Sequence, residues 1–196
     1  MARAIAAAPL LAALLLALAA AEATASPANG ATAASEFIRK SCRATQYPSV
    51  CMQSLASYSK PPPRSPRELA HAALSVSADR ARSASAYVGQ VWGPGRGSGP
   101  VRDCLENMAD SVAHLRDAAQ ELGGDMGRAG SPGFMWHLSN VQTWCSAALT
   151  DENTCLDGLS RGVDAATRSA IRAQVAEVAQ VTSNALSLVN RVGPGY

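Results

Sequence analysis

The 196-residue chain is poor in aromatic residues, which make up 5% of it, and it lacks long alternations of β-branched and polar residues. Strands are enriched in aromatic and β-branched residues, so this scarcity argues against a β-sheet protein. Alanine is abundant instead, and alanine, leucine, arginine and glutamine are good helix formers. The composition therefore favours an all-α fold.

Neither sign of charge dominates the chain, because 17 basic residues stand against 15 acidic ones and the formal net charge is +2. Proteins that bind nucleic acid carry a strong surplus of positive charge on one surface. A surplus this small gives no support for nucleic-acid binding, and we expect none.

Motifs for catalysis and cofactor binding are also missing from the sequence. There is no Gly-x-Ser-x-Gly, no P-loop and no glycine fingerprint after a strand. His71, His114 and His137 lie on three different predicted elements, and none is four residues from another, which excludes a helical zinc pair. The sequence therefore predicts no cofactor and no metal. A hydrolase that uses one of these histidines is a weak alternative.

Long apolar runs are absent except at the N-terminus. Arg3 precedes an apolar run over Ala4–Ala21, and Ala23-Thr24-Ala25 supplies the small residues typical of a cleavage site. The run is borderline for a membrane span, but its alanine content and the triplet favour a cleaved secretory signal over residues 1–25. We therefore expect a secreted, extracellular protein that is not in the membrane after cleavage.

The first feature of the mature chain is the segment CRATQYPSVC, in which two cysteines flank a proline. On one continuous helix Cys42 and Cys51 would lie about 13.5 Å apart, whereas a disulfide needs Cα atoms about 4.4–6.8 Å apart. If they pair, the chain reverses near Tyr47-Pro48, because proline disfavours helix at the residue before it and can begin a new one. The sequence predicts a flexible leader at 26–34 and then a disulfide-stapled helical hairpin at 35–60.

Four longer helices are predicted after the hairpin, separated by proline- or glycine-rich breaks. Ser65 begins the first with a capping box and a proline at the first helical position. The last shows apolar residues at intervals of three and four. The predicted bounds are about 66–91, 101–122, 136–159 and 163–192. One apolar stripe on each helix is buried most economically in an up-down four-helix bundle over residues 65–192.

Five cysteines leave at least one without a partner. Cys145 and Cys155 are ten residues apart on one predicted helix, about 15 Å, so they cannot pair with each other. If Cys42 pairs with Cys51, then Cys104 must reach Cys145 or Cys155. Either bond ties the second bundle helix to the third, and the spacing does not choose between them.

Four motifs of the chain occur together, in this order, in one known family. CRATQYPSVC matches the hairpin C-x-x-T-x-Y-P-x-x-C, VRDCLENMADSVAHL the helix C-x-x-x-[YM]-x-x-A-x-x-L, and WCSAALTDENTCLDGL the segment W-[LS]-S-A-A-L-x-x-x-x-T-C-x-D-x-[FL]. VAQVTSNALSLVNRV is similar to the closing helix. The chain thus resembles the plant invertase and pectin methylesterase inhibitors from about Phe37 to Val192.

The resemblance implies a fold and a disulfide pairing. The fold is a disulfide-linked antiparallel four-helix bundle preceded by a helical hairpin, one inhibitor domain over residues 35–192. The pairing includes a Cys104–Cys155 bond and leaves Cys145 as a free thiol. The break at 123–135 is longer than is usual in the family, so we expect it to be disordered at its centre.

Two target enzymes are known for the family. Invertase inhibitors tend to carry Pro-Lys-Phe after the second disulfide, and CLDGLSRGVDAATRSAI has no such triplet. The ending VTSNALSLVN is more similar to pectin methylesterase inhibitors. The resemblance implies inhibition of pectin methylesterase in the plant cell wall, with invertase as the alternative. A non-inhibitory structural or ligand-binding bundle is a more remote alternative.

In the family the inhibitor binds noncovalently, one to one, over the cleft where pectin would lie, through polar groups of the bundle helices. Five motif positions carry over to this chain: Glu106, Asp110, Gln142, Thr154 and Asp157. Each of them either binds the partner or is merely solvated surface. Because a Cys104–Cys155 bond would bring the segments around the two cysteines together, we expect one docking surface that also includes Gln142.

Overall fold

The computed structural model describes residues 27–56, 61–93, 99–159 and 163–193. The predicted signal peptide, residues 1–25, lies outside the described residues. Ala34–Tyr196 form one compact unit.

The described ranges contain α-helices and no strand, which confirms the all-α prediction. In chain order they are α1 (Pro27–Cys42), α2 (Pro48–Ala56), α3 (Pro66–Trp92), α4 (Pro100–Gly123), α5 (Pro132–Gly158) and α6 (Ala165–Val189).

The four long helices, α3 to α6, form an up-down bundle in which each helix packs against two neighbours. A disulfide between Cys104 and Cys155 joins the start of α4 to the end of α5. His137, near the start of α5, hydrogen-bonds Glu121, near the end of α4, so these two helices are antiparallel. Because α6 packs against both α5 and α3, the ring is closed, and the predicted four-helix bundle is confirmed.

Serine caps set where two of the bundle helices begin. The side chains of Ser65 and Ser131 each accept a hydrogen bond from the backbone N–H three residues later, at 3.1 and 3.2 Å. A proline follows each serine at the first helical position, where its missing N–H would be unpaired in any case. α5 therefore begins at Pro132, four residues before the predicted start near Trp136.

The loop between α4 and α5 is folded, contrary to the expectation that the segment 123–135 is disordered at its centre. The side chain of Met126 is 1% exposed and belongs to the core. Gly127 and Gly130 have φ angles of 71° and 77°, a left-handed conformation that glycine adopts without steric strain. A buried methionine and two glycine turns thus fix this longer loop on the bundle.

The segment 26–34, expected to be a flexible leader, is helical from Pro27 onward. Proline is tolerated in the first turn of a helix, and the alanine-rich stretch after it has a high helix propensity. The first arm of the hairpin is therefore eight residues longer than the predicted start at Ser35 implies.

The hairpin of α1 and α2 is closed by a Cys42–Cys51 disulfide with a Cα–Cα distance of 5.5 Å. Its turn is anchored to α6 by Asn184, whose side-chain oxygen accepts from the Tyr47 N–H and whose amide donates to the Tyr47 carbonyl, both at 2.9 Å. The guanidinium of Arg191 donates to two backbone carbonyls of the same turn region. The turn geometry at the proline is thus coupled to the end of the bundle.

The core combines small residues on α3 with branched residues on α6. The buried alanines of α3 let the neighbouring helices approach closely; they are Ala70, Ala73, Ala78, Ala81 and Ala84. On α6 the predicted apolar stripe is buried, with Ile171, Val175, Val178, Val181, Ala185 and Leu188 facing inward. Full burial of one such valine, leucine or isoleucine stabilises the fold by about 1.5–3 kcal/mol.

Candidate functional site

The residues predicted to bind a partner lie on the two helices that the second disulfide joins. Cys104 and Cys155 have Cα atoms 4.2 Å apart, so the first half of α4 lies beside the second half of α5. Glu106, Asp110 and Thr154 are all exposed, in these adjoining halves.

Asp110 and Thr154 border the same groove between α4 and α5. The groove is bridged by a contact of 3.0 Å between His114 Nδ1 and Asp151 Oδ2. Asp110 lies one turn before His114 on α4, and Thr154 lies one turn after Asp151 on α5, and residues three or four apart share one side of a helix. We define the seam as the exposed residues Glu106, Asp110 and Thr154 along this groove.

Glu106 extends the seam one turn beyond Asp110. Its carboxylate accepts a hydrogen bond from Arg102 Nε at 3.1 Å, and both side chains are more than half exposed. Exposed pairs of this kind contribute little to stability, roughly 0.3–0.5 kcal/mol. Glu106 is therefore free to change partners at small energetic cost.

Gln142 and Asp157 do not lie on the seam, in contrast to the single surface expected from the sequence. Gln142 Nε2 donates to Asn190 Oδ1 at 3.0 Å, which places it on the side of α5 that faces α6. Asp157 follows Cys155 by two residues, about 200° around the helix, so it points away from α4. The structure thus brings together three of the five predicted residues.

The surface formed by α4 and α5 is acidic although the chain as a whole carries a formal charge of +2. The carboxylates of α4 are Asp103, Glu106, Asp110, Asp117 and Glu121, against the two arginines Arg102 and Arg116. α5 contributes Asp151 beside α4 and Asp157 on its outer side, and it contains no lysine or arginine. The compensating positive charge lies elsewhere on the molecule, so the seam belongs to a negative face.

A buried carboxyl group behind the seam was not predicted. Glu152 is 0% exposed, and its Oε1 accepts hydrogen bonds from Ser111 of α4 and Thr182 of α6, both at 2.8 Å. Its Oε2 is buried and has no hydrogen-bond partner in the described part of the chain. The signal in the sequence was the position of Glu152 three residues before Cys155, on the inward side of α5.

Burial raises the pKa of Glu152 to about 7, and the nearby charge of Asp151 acts in the same direction. The hydrogen bonds from Ser111 and Thr182 oppose this by stabilising the ionised form. The carboxyl group is therefore largely protonated below neutral pH and links α4, α5 and α6 as a neutral hydrogen-bonded unit.

Cys145 is a buried free thiol close to Glu152 and Thr182. Burial raises its pKa, and the charge of Glu152 raises it further. Its Sγ lies 3.9 Å from the Thr182 carbonyl oxygen. Because the thiolate is the reactive form, the structure gives Cys145 a packing position and no reactivity.

The three histidines do not converge on one site. His114 pairs with Asp151, and His137 Nδ1 lies 2.7 Å from Glu121 Oε1, which lowers the pKa of Glu121. His71 lines an open depression of about 790 Å³ at the α3–α4 end, and burial, followed by the charge of Arg67, lowers its pKa.

No metal site and no membrane span is present in the described ranges. The side chains there include no group of three or more histidine, cysteine, aspartate or glutamate residues placed to hold an ion. None of the helices described is both long and apolar enough to cross a bilayer.

Comparison with known proteins gives the same family as the sequence motifs. The family model described as plant invertase/pectin methylesterase inhibitor matches residues 36–188. The chain is 43% identical over 183 residues to a 21 kDa protein of Daucus carota, covering 91% of this chain and 90% of that one. It is 43% identical over 163 residues to pectinesterase inhibitor 9 of Arabidopsis thaliana, covering 80% of each.

The fold is shared with a solved structure of low sequence identity. A crystal structure of a mutant form of a pectin methylesterase inhibitor from Arabidopsis superposes with a TM-score of 0.56 at 20% identity, over 76% of this chain and 93% of that one. The motifs, the family model and the long alignments agree, and the chain belongs to the plant invertase/pectin methylesterase inhibitor family.

Proposed function

We propose that the protein inhibits a pectin methylesterase in the cell wall, by binding the enzyme noncovalently, one to one, over the cleft that holds pectin. Relatives that the chain matches over most of both lengths are named pectinesterase inhibitors. The chain is accordingly an enzyme inhibitor and not an enzyme. Invertase is the alternative target, and the absence of a Pro-Lys-Phe triplet after Cys155 argues against it.

The observation that carries this proposal is the acidic seam along α4 and α5. Pectin is a polyuronate with negatively charged free carboxylates, so a cleft that binds it is expected to present cationic groups. Carboxylates at Glu106 and Asp110 offer the same charge at exposed positions. Complementary charge across an interface increases the rate of association and the specificity of the complex.

The seam is also rigid, which favours tight binding. The Cys104–Cys155 bond fixes the two helices at one end, and Glu152 joins both of them to α6. A surface that is already ordered loses little conformational entropy when it binds. A noncovalent complex can therefore form without rearrangement of the bundle.

The two disulfides support export to an oxidising compartment. This agrees with the signal peptide predicted for residues 1–25. Secretion into the cell wall would place the inhibitor where a pectin methylesterase acts.

No specific observation favours a ligand-carrying bundle. The space between α2, α3 and α6, which Leu55, Val76 and Leu188 help to line, is about 10 Å³. That volume is close to the minimum for a single water molecule. Small-molecule sites typically enclose about 300–1,000 Å³, and the depression of about 790 Å³ that His71 lines is open to solvent and not enclosed.

The mode of binding can be tested by enzyme kinetics with the secreted protein. If the inhibitor covers the pectin cleft, its apparent inhibition constant for a pectin methylesterase should rise linearly with the pectin concentration. Dilution of the complex should restore activity because no covalent bond forms, and titration should end at one inhibitor per enzyme. Inhibition that pectin does not relieve would place the contact away from the cleft.

A further inference from the structure

One large aromatic side chain is exposed on the same side of α5 as the seam. Among the described residues, two large hydrophobic side chains are exposed, Met135 at 44% and Trp136 at 61%. Trp136 lies 18 residues before Thr154, which at 3.6 residues per turn is about five full turns. The two residues therefore occupy the same face of α5, about 27 Å apart along it.

Met135 occupies a different face. Successive residues of a helix are rotated by about 100°, so the methionine side chain leaves α5 to one side of the line that joins Trp136 and Thr154. Of the two exposed hydrophobic residues, the tryptophan alone extends the seam.

Trp136 is held in place by its neighbours at the groove. Its ring meets the ring of His137 edge-on, with centroids 4.9 Å apart and planes at 76°. His137 is in turn bound to Glu121 of α4, and the same carboxylate accepts a hydrogen bond from Asn140 at 3.1 Å. The indole thus stands on a fixed support at the far end of the α4–α5 groove.

An exposed, supported tryptophan has the properties of an interface anchor. Tryptophan is enriched among the few residues that dominate binding energy, and burial of its ring removes about 150–250 Å² from water. A standard interface covers about 800 Å² on each partner, which is roughly 30 Å across and can include both Trp136 and Thr154.

We propose that Trp136 is an anchor of the docking surface, and that it inserts into an apolar pocket, bordered by lysine or arginine, at one end of the pectin methylesterase cleft. The inference rests on the proposed function. Charge complementarity favours this partner, because the α4 surface on the side of Trp136 carries Asp117 and Glu121 and α5 contains no lysine or arginine. A ring of cations around an apolar pocket matches both the indole and its acidic surroundings.

Replacing Trp136 tests this directly. We expect Trp136→Ala to weaken inhibition of a pectin methylesterase at least about tenfold, because the anchor is removed. Trp136→Phe should keep much of the affinity that Trp136→Ala loses. Thermal unfolding should be unchanged, since the side chain is largely outside the core. Met135→Ala is the matched control: an adjacent exposed residue on another face, which should inhibit like the wild type.

A second readout follows the indole itself. With 5-fluorotryptophan incorporated, the fluorine resonance of Trp136 is the one that is absent in Trp136→Phe. This resonance should shift when the esterase is added, and it should lose its sensitivity to solvent deuterium. If Trp136→Ala inhibits within about twofold of the wild type while the wild type inhibits well, the anchor is refuted and the proposed function stands. An equal loss in Met135→Ala would also refute it. If the wild type fails to inhibit any esterase, the proposed function falls, and the anchor with it.

Discussion

Replacing Thr154 by tryptophan should weaken inhibition of a pectin methylesterase by about tenfold or more, which corresponds to about 1.4 kcal/mol of binding free energy. Thr154 is exposed on the seam, and its hydroxyl donates only to the Thr150 carbonyl of its own helix at 2.8 Å. A bulky side chain at this position separates the two surfaces without entering the core. The measurement is the inhibition constant, with thermal unfolding recorded for the same variant.

Ser83→Trp is the matched control for this change. Ser83 is also exposed and also donates to a carbonyl one turn earlier, Asp79, at 2.9 Å, but it lies on α3, while α4 and α6 are the long helices that flank α3. Ser83→Trp should have the melting temperature of the wild type and inhibit the esterase equally well. If Thr154→Trp remains folded and inhibits as well as Ser83→Trp, the docking surface lies on another face of the bundle.

Replacing Glu152 by glutamine should make the protein more stable at pH 8, by roughly 3 kcal/mol at most. The wild-type carboxyl group must ionise inside the core at that pH, whereas glutamine stays neutral and can still accept hydrogen bonds from Ser111 and Thr182. For a protein of this size about 1 kcal/mol shifts the melting temperature by about 2–4 °C, so a difference of several degrees is expected.

The sign follows from proton binding. Burial raises the pKa of Glu152 from 4.5 in the unfolded chain to about 7 in the folded protein, so the folded state holds more protons between these values. The contribution of Glu152 to the free energy of unfolding therefore falls as the pH rises from about 4.5 to 7, and it is constant above that range. Melting curves of wild type and Glu152→Gln from pH 4 to pH 8 provide the check.

The comparison of the two proteins separates Glu152 from the polar groups beside it. Asp151 and His114 pair beside it in both proteins, and burial keeps the Cys145 thiol protonated in both. Their contributions are largely removed when one melting profile is subtracted from the other. Parallel profiles, with no growing advantage for glutamine above pH 5, would show that Glu152 is not a buried titrating group.

The sequence predicted those parts of the fold that depend on local signals. The reversal near Tyr47-Pro48 followed from the disulfide distance and the proline, and the first long helix began at the predicted capping box of Ser65. The predicted start of α5 near Trp136 is four residues too late, because Ser131-Pro132 repeats the cap arrangement at Ser65-Pro66 and begins the helix. The same cap signal, applied to both serines, would have placed both helix starts.

The features that were not predicted depend on packing between distant segments. Glu152 contacts Ser111 and Thr182, which lie 41 and 30 residues away, and no local pattern shows that three polar residues meet in the core. The position of Gln142 next to Asn190 is also a matter of how α5 and α6 are aligned. The exposure of Trp136 is not predicted either, because the exposure of a single aromatic residue depends on the complete fold.

The central claim is that this chain inhibits a pectin methylesterase, and the most direct test is a parallel titration of two enzymes. The purified protein without residues 1–25 is added in increasing amounts to a pectin methylesterase with pectin and, separately, to an invertase with sucrose. We expect esterase activity to fall to near zero at one inhibitor per enzyme while sucrose hydrolysis is unchanged. Full esterase activity at a large excess of the protein, or loss of invertase activity instead, would contradict the account.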